Sequence, residues 1–291
     1  MRRSPARTTG LTIDVPREHP VPYFERPGVR LFYAEYPPAT GPRPPLNLLL
    51  VHGLWGAAEG WIHQIPSLRT HYRTVAVDLR GHGRSSAPPS GYDLGDHAED
   101  LAALIRHADL APVVLLAHSM GCSVSTVLAA RHPDLVHALA MIDPDYAGDP
   151  SERESMARLA DDLEGPDADQ IAQDFISERF HTPATPGHLR TWHLLEVLAR
   201  PAWLRAQTFR HSAFGPSSLR FRPQAEPVLR QRRQPVLAFH RHTARAEVEQ
   251  LCLPRDHSQI VRHPHAGHFI HQEQPDEVND TLMQWLAALP R

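Results

Sequence analysis

The chain reads as an α/β protein with a mostly parallel central sheet flanked by helices, and three observations support that assignment. Short continuous apolar runs recur, each closed by glycine or a polar residue: "LNLLLVHG", "TVAVDLRGHG", "PVVLLAHS", "HALAMIDP" and "QPVLAFHR". Runs without apolar–polar alternation belong to strands buried on both faces. Helical periods separate them, as in "GDHAEDLAALIRHADL" and "GCSVSTVLAARH", and strands alternating with helices imply a parallel sheet covered on both sides. Finally, 291 residues, 41% hydrophobic and 22% charged, suffice for one large core carrying an insertion.

Residues 1–27 are rich in Pro and Arg and lack a sustained period, so they are expected to form an irregular N-terminal arm. "VRLFYAEY" (29–36) is the first expected strand, broken by "PPATGPRPP". Strands are expected at 46–53, 74–83, 112–119 and 137–144, with helices at 95–110 and 121–132. Strands at 234–241 and 258–264 and a helix at 276–289 complete the series. The stretch 144–230 is far longer than an ordinary crossover and contains helix-like pieces at 154–163 and 188–207. It is expected to be a helical cap inserted between two late strands of a core formed by 28–143 and 231–291.

The first half of that insertion is acidic (Asp161, Asp162, Glu164, Asp167, Asp169, Asp174). Its second half is basic, from Arg190, Arg200, Arg205 and Arg210 through Arg220 and Arg222 to Arg230, Arg232 and Arg233. One reading is that the halves pack together with complementary charge; the other is a basic rim that selects an anionic substrate.

A net charge of -3 gives no electrostatic reason to expect nucleic acid or an anionic membrane as partner. Two cysteines, Cys122 and Cys252, do not make a disulfide framework. The opening "MRRSPARTTG" is not followed by the apolar region of a signal peptide, and no run is long enough to span a bilayer. The expectation is a cytoplasmic protein acting on a small molecule.

In a parallel sheet the reactive groups sit at the carboxyl ends of strands. Ser119 follows one such run in "LLAHSMG", with Ala117 two residues before it and Gly121 two after. A nucleophile on a tight strand-to-helix turn needs small residues at both places. The following helix would point its first N–H groups at a developing oxyanion. "VHGLWG" offers a second amide, that of Leu54, to pair with that of Met120; the His52 side chain beside it reads as structural. In "HAGHFIHQEQP", His268 follows Gly267 in a loop where an imidazole can exchange a proton with Ser119. His263, His265, His268 and His271 cluster there, but without Cys or carboxylate at ligand spacing, so no metal is expected. No cofactor is implied.

Together "LLLVHGLWG", "VAVDLRGHGRS", "LLAHSMG" and "HAGHFIHQEQP", in that order, resemble the α/β-hydrolase superfamily over residues 29–290 apart from the cap. The resemblance implies an α/β-hydrolase fold, Ser119 as nucleophile, His268 as base and the Leu54 and Met120 amides as oxyanion hole. It also makes Asp78 part of a structural turn. One position departs from the family pattern. The acid is usually found shortly after the strand matching "PVLAFH", where this chain has Ala244 and its neighbours. The end of the preceding strand, "MIDPDYAGD", supplies Asp143 instead. That placement resembles haloalkane dehalogenases and lactonases acting on zearalenone. Asp145 and Glu247 are the alternative acids.

A serine at the turn argues against the carboxylate chemistry of dehalogenases and epoxide hydrolases, and favours acyl transfer to water. The expected activity is hydrolysis of a carboxylic ester or lactone through an acyl-enzyme. Three tryptophans, Trp55, Trp192 and Trp203, are candidate pocket residues, although each also fits simple packing. Rival readings are a C–C bond hydrolase, a cofactor-free lyase or oxygenase on the same fold, and a non-catalytic ligand-binding member.

Overall fold

A computed structural model describes residues 23–39, 46–254 and 256–290. Eight strands form one sheet: β1 (Tyr23–Arg26), β2 (Val29–Tyr36), β3 (Asn47–Val51), β4 (Arg73–Val77), β5 (Val113–His118), β6 (Val136–Ile142), β7 (Val236–His240) and β8 (Gln259–Arg262). Their spatial order is β1-β2-β4-β3-β5-β6-β7-β8. β3 to β8 run parallel, while β2 lies antiparallel to β4 and β1 antiparallel to β2. Most of the irregular arm expected at 1–27 lies outside the described residues. Its end is not irregular, because Tyr23–Arg26 pairs with Val29–Phe32. Phe24 is buried there and Gly28 takes the positive φ of the turn, a contact that the arm's Pro- and Arg-rich composition conceals.

The helices are α1 (Ile65–Leu68), α2 (Leu94–His107), α3 (Met120–Arg131), α4 (Arg153–Asp162), α5 (Ala168–Arg179), α6 (Gly187–Leu198), α7 (Ala202–Phe214), α8 (Ala225–Leu229), α9 (Thr243–Cys252), α10 (Ile270–Glu273) and α11 (Pro275–Ala288). Successive side chains of a strand point to opposite faces, and both faces are covered. Leu49, Val51, Leu115 and Ala117 pack towards α2, α3 and α9. Leu48, Leu50, Val114 and Leu116 pack towards α1, α10 and α11. Every residue of β5 is therefore buried, which is why its sequence shows no alternation. No described helix is long and apolar enough to cross a membrane.

The run expected as a strand over 74–83 stops at Val77, because Asp78 turns the chain. Its carboxylate accepts the Ala58 N–H at 2.7 Å and the Arg84 N–H at 2.8 Å. The helical run expected over 188–207 is two helices. Pro201 bars the residue before it from helical backbone, so α6 ends at Leu198 and α7 begins at Ala202.

Between β6 and β7 the chain passes through α4 to α8. This insertion has its own apolar cluster, in which Met156, Phe175, Ile176, Phe209 and Phe221 close around Trp55 of the core. Its acidic and basic halves meet: Arg205 pairs with Asp169, and Arg210 with Asp161 and Glu164. Complementary packing thus accounts for part of the charge segregation. Arg220 and Arg222 follow a different course, described below.

The sheet order also fixes where a ligand can sit. From β3 the chain moves to β4 on one side, and from β4 it crosses to β5 on the other. The ends of β3 and β5 therefore diverge at a topological switch point, where loops leave a crevice. His52–Leu54 and Ser119 lie at those two ends.

Candidate active site

Ser119 links β5 to α3 with φ 52° and ψ -119°, a conformation costly for a residue with a side chain. Close packing from two sides holds it. A Cβ on Gly121 would collide with the carbonyl oxygens of Val51 and His52, and one on Gly53 would lie 2.9 Å from Cβ of Ser119. Both glycines are thus required for the β3 loop to approach the turn. The Ser119 N–H donates to the Ile142 carbonyl at 3.0 Å, and the Ser119 carbonyl accepts from the Cys122 N–H at 2.9 Å. Met120 opens α3, where the first N–H groups of a helix have no partner within it. Leu54 sits on the facing β3 loop.

His268 lies between Ser119 and Asp143. The Ser119 hydroxyl donates to Nε2 of His268 at 2.7 Å, and Nδ1–H of His268 donates to Oδ2 of Asp143 at 2.6 Å. All three side chains are buried. Asp143 follows β6 at φ 40°, and its N–H donates to the Phe239 carbonyl of β7 at 2.8 Å. The His268 loop is held by its own N–H donating to the Phe180 carbonyl at 2.8 Å. The Phe180 ring packs 4.2 Å from the imidazole. Nε2–H of His118 donates to the His268 carbonyl at 3.0 Å.

Burial lowers the pKa of His268 below the ordinary histidine value, and the hydrogen bond to Asp143 opposes that shift without cancelling it. Burial alone would raise the Asp143 carboxyl; the hydrogen bond and charge of His268 and the charge of Arg241 instead hold it well below the usual carboxylate range. The arrangement keeps a neutral imidazole beside a fixed anion. That combination can accept a hydroxyl proton and stabilise the resulting imidazolium.

The other expected site residues are spread more widely. The Asp145 carboxylate is taken by Arg220 and Arg245. Glu247 is exposed on α9. His52 is buried and neutral, its pKa lowered by burial to about 4; Nδ1–H donates to the Gly53 carbonyl and Nε2 accepts from the Leu79 N–H. Trp55 is buried, and its indole N–H reaches the Arg205 carbonyl and Thr208 hydroxyl, both at 3.2 Å. It borders an internal gap of about 20 Å³. Trp192 is half-buried against His193, and Trp203 is 47% exposed at the start of α7; neither borders a described cavity. They stand on the outer side of α6 and α7 because the inner faces are filled by Val197 and Phe209. The C-terminal histidines are also dispersed, with His263 bonded to Gln274 and His265 exposed. Among the described residues no three His, Cys, Asp or Glu side chains are grouped to hold a metal ion.

Sequence reasoning overlooked Arg241 and Phe180. Nε–H of Arg241 donates to Oδ2 of Asp143 at 2.8 Å, and its Nη2–H donates to the Arg179 carbonyl at 2.9 Å. A cation directly after the β7 run was the available signal. Phe180 gave none, since its role depends on α5 ending against the His268 loop.

A family model described as alpha/beta hydrolase fold matches residues 47–216. The chain is 27% identical over 261 residues to the dihydrolipoyllysine-residue acetyltransferase component of an acetoin-cleaving system from Pseudomonas putida, covering 82% of this chain and 63% of that protein. It is 38% identical over 96 residues to 2-(acetamidomethylene)succinate hydrolase of Mesorhizobium japonicum, 33% of this chain and 34% of the relative. The chain thus spans less than two thirds of the length of either relative. Among solved structures it resembles a thermophilic esterase from Thermogutta terrifontis, with TM-score 0.76, 24% identity and coverage of 92% of this chain and 97% of the other. It also resembles the enol-lactonase of Burkholderia xenovorans LB400, with TM-score 0.73, 20% identity and coverage of 91% and 100%. At these identities the structural likeness establishes the fold.

Proposed function

The chain belongs to the alpha/beta hydrolase fold family, and we propose that it is a serine hydrolase cleaving carboxylic ester or lactone bonds through an acyl-enzyme. The observation that carries this reading is the hydrogen-bonded row in which His268 touches Ser119 at 2.7 Å and Asp143 at 2.6 Å. Ser119 Oγ attacks the ester carbonyl as Nε2 of His268 takes its proton. Asp143 fixes the tautomer and stabilises the imidazolium. The backbone N–H groups of Leu54 and Met120 receive the oxyanion. His268 then returns the proton to the leaving alkoxide, and water releases the acid by the reverse sequence. The insertion from α4 to α8 acts as a cap that excludes bulk water from the reacting atoms. Esterase and enol-lactonase activities named for structural neighbours agree with this chemistry.

The test is hydrolysis of a panel of p-nitrophenyl esters and small lactones by wild type and Ser119→Ala, with labelling by a serine-directed fluorophosphonate. Wild type is expected to turn over and label at Ser119. Ser119→Ala should lose roughly a thousandfold or more of kcat. Turnover that survives Ser119→Ala, or a wild type that neither reacts nor labels, would overturn the proposal.

A further inference from the structure

A cavity of about 430 Å³ opens beside His268 and Asp143, between the β6 and β7 ends and the insertion. Its apolar side is made by Met156, Phe175 and Phe180. Five arginines, Arg179, Arg220, Arg222, Arg241 and Arg245, also line it, and Nη2–H of Arg220 reaches Sδ of Met156 at 3.4 Å. Their placement follows from backbone pairing. The N–H groups of Ala147 and Gly148 donate to the carbonyls of Leu219 and Arg220, and the Arg222 N–H donates to the Gly148 carbonyl. The 219–222 segment is thereby strapped along the chain leaving β6, with a single parallel bridge between Gly148 and Phe221. Phe221 is buried in the insertion's core, whereas Arg220 and Arg222 on either side of it border the cavity.

Five carboxylates share the lining, and two of them are firmly engaged. Asp143 is held by His268 and Arg241, and Asp145 by Arg220 and Arg245. Asp149, Glu152 and Glu178 also border the cavity; the charge of Arg222 helps to lower the Asp149 carboxyl, but among the described residues no ion pair joins Arg222 to Asp149 or Glu152. Nε of Arg222 is buried without a hydrogen-bond partner, as is Nε of Arg220. Arg245 has its cationic form disfavoured, first by burial and then by the charge of Arg220. Crowded, incompletely paired guanidinium groups beside an aromatic wall are suited to an anion attached to an apolar body.

We propose that this cavity is an anion subsite, and that the substrate is an ester or lactone bearing a carboxylate that docks against Arg222 with Arg220 and Arg245 behind it. The proposal rests on the serine hydrolase reading for its reaction but not for its binding. With the acid carried by Asp143, the turn after β7 is free to present Arg241 and Arg245 where the family resemblance leads one to look for an aspartate. The same departure that moved the acid places Arg241 and Arg245 in the wall next to His268.

Two measurements test it. The first compares kcat/KM of wild type, Arg222→Ala and Arg222→Glu on mono-p-nitrophenyl esters of succinate, glutarate and adipate, and on neutral p-nitrophenyl esters of matched length. Wild type should prefer at least one carboxylate-bearing ester over its neutral counterpart. Arg222→Ala should lose roughly tenfold, and Arg222→Glu more, on that ester only, in line with loss of one charge-assisted hydrogen bond. Unchanged rates on the neutral esters would show that both variants are folded. Equal losses on charged and neutral esters, or no wild-type preference, would refute the subsite. The second measures binding of glutarate, succinate and adipate to Ser119→Ala and to Ser119→Ala/Arg222→Glu by calorimetry, which needs no turnover. Binding abolished by Arg222→Glu supports the subsite even if the hydrolase reading fails. Failure of glutarate, succinate and adipate to bind would refute it even if the hydrolase reading holds.

Discussion

The ends of β6 and β7 lie side by side, joined by the hydrogen bond from Asp143 N–H to the Phe239 carbonyl, yet they present opposite charges to the site. β6 ends in Asp143, held 2.6 Å from Nδ1 of His268. β7 ends in Arg241, whose side chain turns back onto the same carboxylate oxygen at 2.8 Å, and Ala244 and Arg245 follow on α9. Either strand end is close enough to His268 to orient its ring. Once one of them carries the acid, the other is released from that task and can be used to hold the acid or to meet a ligand. On the proposed mechanism the position occupied by Ala244 is therefore a reassigned wall of the site.

The comparison breaks most sharply if the β6 carboxylate is dispensable. Asp143→Asn keeps the volume and removes the anion, so His268 loses the partner that selects its tautomer and stabilises its cation. We expect kcat on an activated ester to fall by about 10³- to 10⁴-fold with little change in KM. Near-wild-type kcat in the folded variant would show that the acid lies elsewhere and that the two strand ends have been read the wrong way round.

A smaller effect is expected on the β7 side. Arg241 lowers the proton affinity of His268 and helps hold the Asp143 carboxylate in place. In wild type the acid limb of kcat/KM should have its midpoint below the ordinary histidine value of 6.5, because burial disfavours the imidazolium and the proposed mechanism needs His268 neutral. Arg241→Met removes a cation that repels the imidazolium. His268 then holds its proton to higher pH, and the acid limb should move upward while the maximal rate falls about tenfold, as for one lost charge-assisted hydrogen bond. A limb that stays in place or moves down would confine Arg241 to a purely structural contact.

The sequence revealed the two regions unequally, for a physical reason. Buried parallel strands write themselves as unbroken apolar runs, so β3, β5, β6 and β7 could be located within a few residues, while the run of β4 was carried past Val77 into the Asp78 turn; the strand-end serine and the glycines around it followed. Asp143 could be named as a candidate acid because the end of a strand next to β5 is a place fixed by sheet order. Arg241 and Phe180 could not, since both act through a chain reversal across the insertion: α5 must end at Arg179 for its carbonyl to meet Arg241 and for the Phe180 ring to reach His268. The arginines of the insertion look alike in sequence. Packing alone separates Arg205 and Arg210, spent on Asp169, Asp161 and Glu164, from Arg220 and Arg222 at the cavity. Trp192 and Trp203 were candidates on chemistry alone, and helix phase turned them outward.

The smallest effect is expected on α9. Glu247 is the carboxylate of α9 closest in sequence to the turn after β7, and by sequence it competed with Asp143 for the role of acid. On the folded chain it faces solvent, while its neighbours Ala246 and Val248 are buried. A helix rotates each residue about 100° from the last, so a side chain flanked by two buried neighbours in a ten-residue helix can still point away from His268. Glu247→Gln removes an exposed charge of the kind that changes stability by no more than about 0.5 kcal/mol, and kcat/KM should stay within about twofold of wild type across the pH profile. A fall comparable to that of Asp143→Asn would mean that α9 swings its acidic face inward during turnover, and the division of labour between the two strand ends would have to be abandoned.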